Sequence, residues 1–241
     1  MKRIRVLLVV ACACSLVAAG CTNDDDPATI TTTTAATGPV GSPKIDDATI
    51  APSIISGFED NDVPISITKC ESKGKPVKDL STAKEATGAG VPKDTFTVAE
   101  NNAGHVEDCV DYDARPPVGG DHFAIWVNCG MYYDRVPDMM AVHVMEHGAV
   151  WVAYRSDATA LDLATIAKAV QATTHLLASP YPDLPAPLVM SAWGTQLQLD
   201  STSDPRFAAF LATYIQGPQT RELGASCSGA VGKPDVAALG R

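Results

Sequence analysis

The sequence predicts an α+β (or α/β) fold: one compact sandwich whose C-terminal half runs strand, helix, strand, strand, helix. Three observations carry this. Residues 123–128 and 149–155 are short apolar runs rich in aromatic and β-branched side chains, the pattern of buried strands. Leu161, Leu163, Ile166, Ala169, Val170, Thr173, Leu176 and Leu177 then recur at helical spacing and stop before Pro180. Residues 188–193 and 196–199 read as two strands joined tightly at Gly194 and Thr195. A helix follows, with Asp204 as N-cap, Pro205 at its first position, and Phe207, Phe210, Leu211 and Tyr214 on one face. A thioredoxin-like C-terminal half and part of a ferredoxin-like fold share this order, so order alone does not choose between them.

Residues 51–223 are expected to hold this single domain. Its first third is loop-rich, with strands expected at 65–69 and 95–98. The segment 224–241 is Gly-rich and reads as a flexible tail unless Cys227 pins it back. Residues 21–50 are dominated by Asp24, Asp25, Asp26, a threonine run at 31–34, and Gly and Pro. Such a composition cannot assemble a core, and reads as a tether reaching roughly 30 Å.

The first 20 residues have the layout of a secretory signal. Lys2, Arg3 and Arg5 precede a short apolar stretch, and the small residues Ala18, Ala19 and Gly20 precede Cys21. The stretch is shorter than the roughly 20 residues a membrane span requires. Small residues directly before a cysteine form a lipobox, so Cys21 is expected to be lipidated with palmitate-type chains. The protein is then expected on the extracytoplasmic face of the cell membrane, with the membrane itself as a partner and an envelope protein as a further candidate. Loss of residues 1–20 removes three basic residues from 18 and none of the 28 acidic ones, leaving 15 against 28, a net charge of −13. That balance repels phosphate backbones, so no nucleic-acid partner is expected.

Cys70, Cys109, Cys129 and Cys227 remain downstream, an even number in an exported domain, and are expected to form two disulfides. Three pairings are open. No C-x-x-C occurs, so neither a zinc knuckle nor a thioredoxin-type redox centre is signalled.

The chemistry concentrates on histidine. Four of the five histidines fall between 105 and 147, interleaved with Asp121 and Glu146. If residues 142–148 form a helical turn, His143 and His147 project from one face, four residues apart, beside Glu146. Two imidazoles so spaced reach one metal ion. His122 follows Arg115-Pro116-Pro117-Val118-Gly119-Gly120-Asp121, a stretch suited to presenting a side chain rigidly, and supplies a third imidazole. His105 is a candidate fourth ligand. His143, Glu146 and His147 also match the H-x-x-E-H pattern of inverzincin proteases, whose glutamate is the base towards a zinc-bound water. Gly148 and the strand that follows limit the helix to a turn or two, which argues against that chemistry. Met139, Met140 and Met145 lie nearby as soft donors or core fillers.

Tyr112, Pro116-Pro117, Gly120, His122, Trp126, Gly130, Tyr132, Val142-His143, Glu146-His147-Gly148 and Tyr154 together resemble the bacterial "domain of unknown function 3105" family. Pro185-Ala186-Pro187 and Ala192-Trp193-Gly194 extend the resemblance, which covers roughly residues 100–215. It implies an exported, membrane-attached or lipoprotein-like protein in which His122, His143, Glu146 and His147 act together, and it brings no activity. Gly119 stands where such sequences carry Ser, and Asp121 where Pro is common.

Three readings follow. The first is a lipid-anchored envelope protein holding one copper or zinc ion on His122, His143 and His147, with Glu146 and His105 as further ligands. The second is a metal-dependent hydrolase with Glu146 as base. The third is a non-catalytic interaction or scaffold module. No catalytic set is complete, which favours binding over an enzyme. Geometry discriminates: ring nitrogens of His122, His143 and His147 gathered within about 4 Å, as ligands 2.0–2.1 Å from one ion must be, support the first two, and widely separated rings support the third.

Overall fold

The computed structural model describes Cys70 and residues 75–76, 83–98 and 102–239, all within the unit Ser42–Arg241. The signal segment, Cys21, the tether and the strand expected at 65–69 lie outside the described residues. Ten strands and three helices occur among the described residues. In chain order they are β1 (Lys75–Pro76), β2 (Lys84–Glu85), β3 (Phe96–Thr97), β4 (Ala114–Arg115), β5 (Gly130–Met131), α1 (Asp138–Glu146) and β6 (Val150–Tyr154). There follow α2 (Ala160–Gln171), β7 (Leu176–Pro180), β8 (Leu188–Ala192), β9 (Thr195–Leu199), α3 (Pro205–Tyr214) and β10 (Val236–Ala237).

Eight strands form one mixed sheet in the order β10-β5-β7-β6-β8-β9-β3-β2, and β1 pairs with β4 apart from it. β5, β7 and β6 run parallel; the other pairings in the sheet are antiparallel. Every residue of β6, β7 and β8 is buried, so the sheet is covered on both faces. A strand buried on both faces needs a continuous apolar run rather than alternation, and that is what these segments carry. α2 packs on β5, β7 and β10, and α1 packs on β6. The fold is α+β, as its element pattern predicts.

Both capped helices start where their caps place them. The Thr159 side chain accepts from the amide of Asp162, and Asp204 accepts from the amide of Arg206 at 2.8 Å, with Pro205 next.

Two expectations are corrected. The periodicity through Leu177 does not carry one helix: α2 closes at Gln171, and Leu176 and Leu177 belong to β7. The β-branched Thr173 and Thr174 turn the chain, and the buried run behind them fills the slot between β5 and β6. Residues 123–128 form no regular strand; Val127 makes only an isolated bridge to Val231. Their carbonyls serve other partners instead: Phe123 O accepts from His143 Nδ1 at 2.7 Å, and Trp126 O accepts from the Val231 amide at 3.4 Å.

The four cysteines pair as Cys70–Cys109 and Cys129–Cys227. Cys227 thereby meets the condition set for the Gly-rich tail. Beyond it, β10 pairs with β5, Asn128 Nδ2 donates to Gly232 O at 2.8 Å, and Asp235 accepts from the Tyr133 amide at 2.8 Å.

α1 is buried along all nine residues. At its start, Asp138 accepts from Arg135 Nη2 at 3.4 Å and from the Tyr181 hydroxyl at 3.0 Å, with the Arg135 guanidinium over the Tyr181 ring. Burial pushes the Asp138 carboxyl up, and Arg135 and Tyr181 oppose that shift. At its end the helix passes through His147 to Gly148, whose φ of +91° favours glycine. A Cβ there would lie 2.5 Å from Gln216 Nε2 and 2.7 Å from Thr220 Oγ1. The segment 216–222 covers this end: Glu146 O accepts from the Glu222 amide at 3.0 Å, Gly148 O from the Gln216 amide at 2.8 Å, and His147 O from the Gln216 side chain. Among the described residues, no helix is long and apolar enough to cross a membrane.

Candidate metal centre

Three segments meet at the C-terminal end of α1. The helix itself supplies His143 and Glu146, three residues apart and so neighbours on its surface. His122 comes from the Pro-Gly loop. Gly120, at φ +107°, turns its carbonyl to accept from His122 Nδ1 at 2.8 Å. His105 joins through a short parallel bridge to His122, in which the His122 amide donates to Gly104 O (2.9 Å) and the Val106 amide to His122 O (2.8 Å). Asp121 clamps the same two loops, accepting from the Gly104 amide at 2.8 Å. Asp121 is thus the residue that ties the His105 loop down.

One nitrogen from each of His105, His122 and His143 and one carboxylate oxygen of Glu146 all lie within 4.8 Å of one another. His122 Nε2 stands 2.9 Å from Glu146 Oε2, and His105 Nε2 stands 3.7 Å from the same oxygen. The rings are packed together: His105 stacks on His143 with centroids 4.9 Å apart, and His122 lies 4.9 Å from His143. His122, His143 and Glu146 are buried, and only the His105 side chain, 47 % exposed, faces solvent.

The protons are placed for ligation. In His122 and His143, Nδ1 donates to a backbone carbonyl, which leaves Nε2 of the neutral ring as a bare lone pair. Burial pushes the His143 imidazole down to about 3, and the neighbouring histidines push the same way against the pull of the Phe123 carbonyl. His122 Nε2 is buried without a hydrogen-bond partner, despite the 2.9 Å approach of Glu146. A bare Nε2 facing a carboxylate oxygen satisfies neither group, whereas a proton or a metal ion between them satisfies both. The donor set of three imidazoles and a carboxylate fits a transition-metal ion. Ligands around one ion sit up to about 4 Å apart, so closing the group on it asks for a contraction of less than about 1 Å.

His147 departs from the expected ligand set. It follows the last residue of α1, its Nδ1 donates to Ser226 O at 2.7 Å, and its Nε2 lies 3.4 Å from Glu222 Oε2. It packs edge-on against His143 at 4.6 Å and so buttresses the group rather than joining it. Burial pushes its imidazole down as well. His175 is elsewhere, between Thr174 Oγ1 and Ala225 O. Met139, Met140 and Met145 are core residues.

Of two wall residues, Trp193 stands in the Ala192-Trp193-Gly194 segment already singled out, and Arg221 carries no sequence signal. Trp193 approaches His122 edge-on at 6.0 Å, and Arg221 lies over the Trp193 ring at 5.3 Å with its Nε 3.6 Å from Glu146 Oε1.

Among known families, residues 105–229 match the model described as "Protein of unknown function (DUF3105)". The matched span opens at His105 and contains all four members of the ligand group, Cys129, Cys227 and Arg221. No curated protein and no solved structure matches the chain.

Proposed function

Since the chain belongs to the DUF3105 family, whose description assigns no activity, we propose from the site itself that the domain is a metal-binding module of the cell envelope. His105, His122, His143 and Glu146 hold one divalent ion, zinc or copper. The observation that carries this reading is the convergence of three imidazole nitrogens and a carboxylate oxygen, with the Nδ1 atoms of His122 and His143 already committed to carbonyls. With imidazole nitrogen and carboxylate oxygen donors, the set suits a divalent ion better than Cu(I). Glu146 stands among the ligand atoms rather than apart from them, which fits coordination better than the work of a general base. A binding role is therefore favoured over hydrolysis.

The address belongs to the same proposal. Lipidation at Cys21 would hold the protein on the outer face of the membrane, where it would meet envelope metal and an envelope protein partner. The signal-like N-terminus and two disulfides support an oxidising, extracytoplasmic setting, and the acidic balance disfavours nucleic acid. Cys21→Ala should then release the protein from the membrane fraction.

The test of the metal reading is elemental analysis and titration calorimetry of the purified full chain. One equivalent of zinc or copper(II) is expected, lost in His122→Ala and His143→Ala and kept in His175→Ala. Absence of stoichiometric binding, or unchanged binding in both site variants, would overturn it.

A further inference from the structure

Arg221 presents guanidinium donors at the wall of the centre. Its Nε faces Glu146 Oε1 at 3.6 Å, and its plane rests on the Trp193 ring, itself 7 % exposed and set against His122. Its two terminal amino groups make no hydrogen bond or ion pair among the described residues, although the side chain is only half exposed. A cation held by a flat aromatic wall, with its fork unused, is preorganised for a planar or tetrahedral oxyanion.

Charge points the same way. A divalent ion on three neutral imidazoles and Glu146 leaves one positive charge at the centre, and Arg221 adds a second in a chain that is otherwise strongly acidic. Glu222 turns its carboxylate to His147 rather than to this pair. The half-exposed His105 marks the side from which a further ligand reaches the ion, either by taking that outer position or by expanding zinc to five-coordination.

We propose that the centre binds an oxyanion, a carboxylate or phosphate, with one oxygen on the metal and the others on the Arg221 fork. The proposal rests on the metal reading above. It makes Arg221 the residue that selects the ligand, without a share in holding the ion.

Cobalt(II) makes the test visible. The full chain, loaded with cobalt, is titrated with acetate and separately with phosphate at constant pH and ionic strength, and the visible absorption of the ion is followed. A saturable change is expected with at least one of the two anions. Arg221→Gln should raise the Kd for that anion about tenfold or more, with cobalt stoichiometry unchanged, and Arg221→Lys should fall between. Bound cobalt whose spectrum ignores both anions, or an equal Kd in Arg221→Gln, overturns this proposal alone. Failure to bind cobalt overturns it together with the metal reading, so the two failures are distinguishable.

Discussion

The two ends of α1 bury similar numbers of ionisable groups and arrange them in opposite ways. At the start, the Asp138 carboxylate is ringed by donors, the Arg135 guanidinium and the Tyr181 hydroxyl. At the end, the Glu146 carboxylate faces His122 Nε2, while His122 Nδ1 is taken by the Gly120 carbonyl and the lone pair of His143 lies close by. The first arrangement is complete as it stands. The second sets imidazole nitrogens against one carboxylate oxygen, with only Arg221 Nε 3.6 Å from the other, and has room for a cation to complete it. Asp162, elsewhere in the fold, follows the first pattern: its oxygens take Thr159 Oγ1 at 2.5 Å, the Thr202 amide at 2.7 Å, Thr202 Oγ1 at 2.8 Å and Ser201 Oγ at 2.9 Å. The difference separates a polar group kept for the fold from one kept for a ligand, by counting which partner brings the proton.

The sharpest way to break this contrast is Asp138→Ala. It leaves Arg135 buried without its counter-charge, and a loss of about 3–5 kcal/mol is expected in urea unfolding, equal with and without a chelator. A smaller loss under zinc than under chelator would mean that this end also senses the ion. Removing the Cys129–Cys227 bridge by a double Ala substitution comes next, at about 2–5 kcal/mol. Because the bridge holds the segment 222–227 that contacts His147 and His175, this variant should also weaken zinc binding, measured by calorimetry.

Asp162 supplies the pH test. Although burial works against ionisation, the hydrogen bonds from Thr159, Thr202 and Ser201 hold its carboxyl down to about 2. A carboxyl depressed in the fold stabilises fully above its unfolded pKa, and that contribution drains away as pH falls from about 4 to about 2. Asp162→Asn should flatten this part of the stability–pH curve by about 2 kcal/mol. The smallest effect is expected where the contrast predicts least intrinsic cost. His143→Gln in chelator should change stability by about 1 kcal/mol, one hydrogen bond's worth, while abolishing the rise in Tm that zinc gives the parent chain. An equally large loss with and without zinc would place the histidines with Asp138 as braces.

Much of this was legible in residue order, and the gaps have physical causes. Asp204-Pro205 announces α3 because caps act locally, within one turn. β7 hides because Leu176 and Leu177 happen to continue the spacing of α2, and a two-sided buried strand carries no alternation to betray it. The nearness of His143, Glu146 and His147 reads correctly from helical geometry. What the spacing does not show is that Ser226 O and Glu222 engage the two ring nitrogens of His147, contacts made by a distant segment. His105 and Arg221 are brought in by a loop clamp and a closing segment, long-range contacts with no periodic trace.

That closing segment has a consequence for how the molecule is made. A chain delivered amino end first exposes His105, His122, His143 and Glu146 while residues 216–227 are still to come. Until they arrive, the carbonyls at the end of α1 lack the partners that Gln216 and Glu222 provide, and Cys129 has no mate. The group's ligand residues thus all precede the segment that closes over them, and in the finished fold an entering ion would pass beside His105, its half-exposed member.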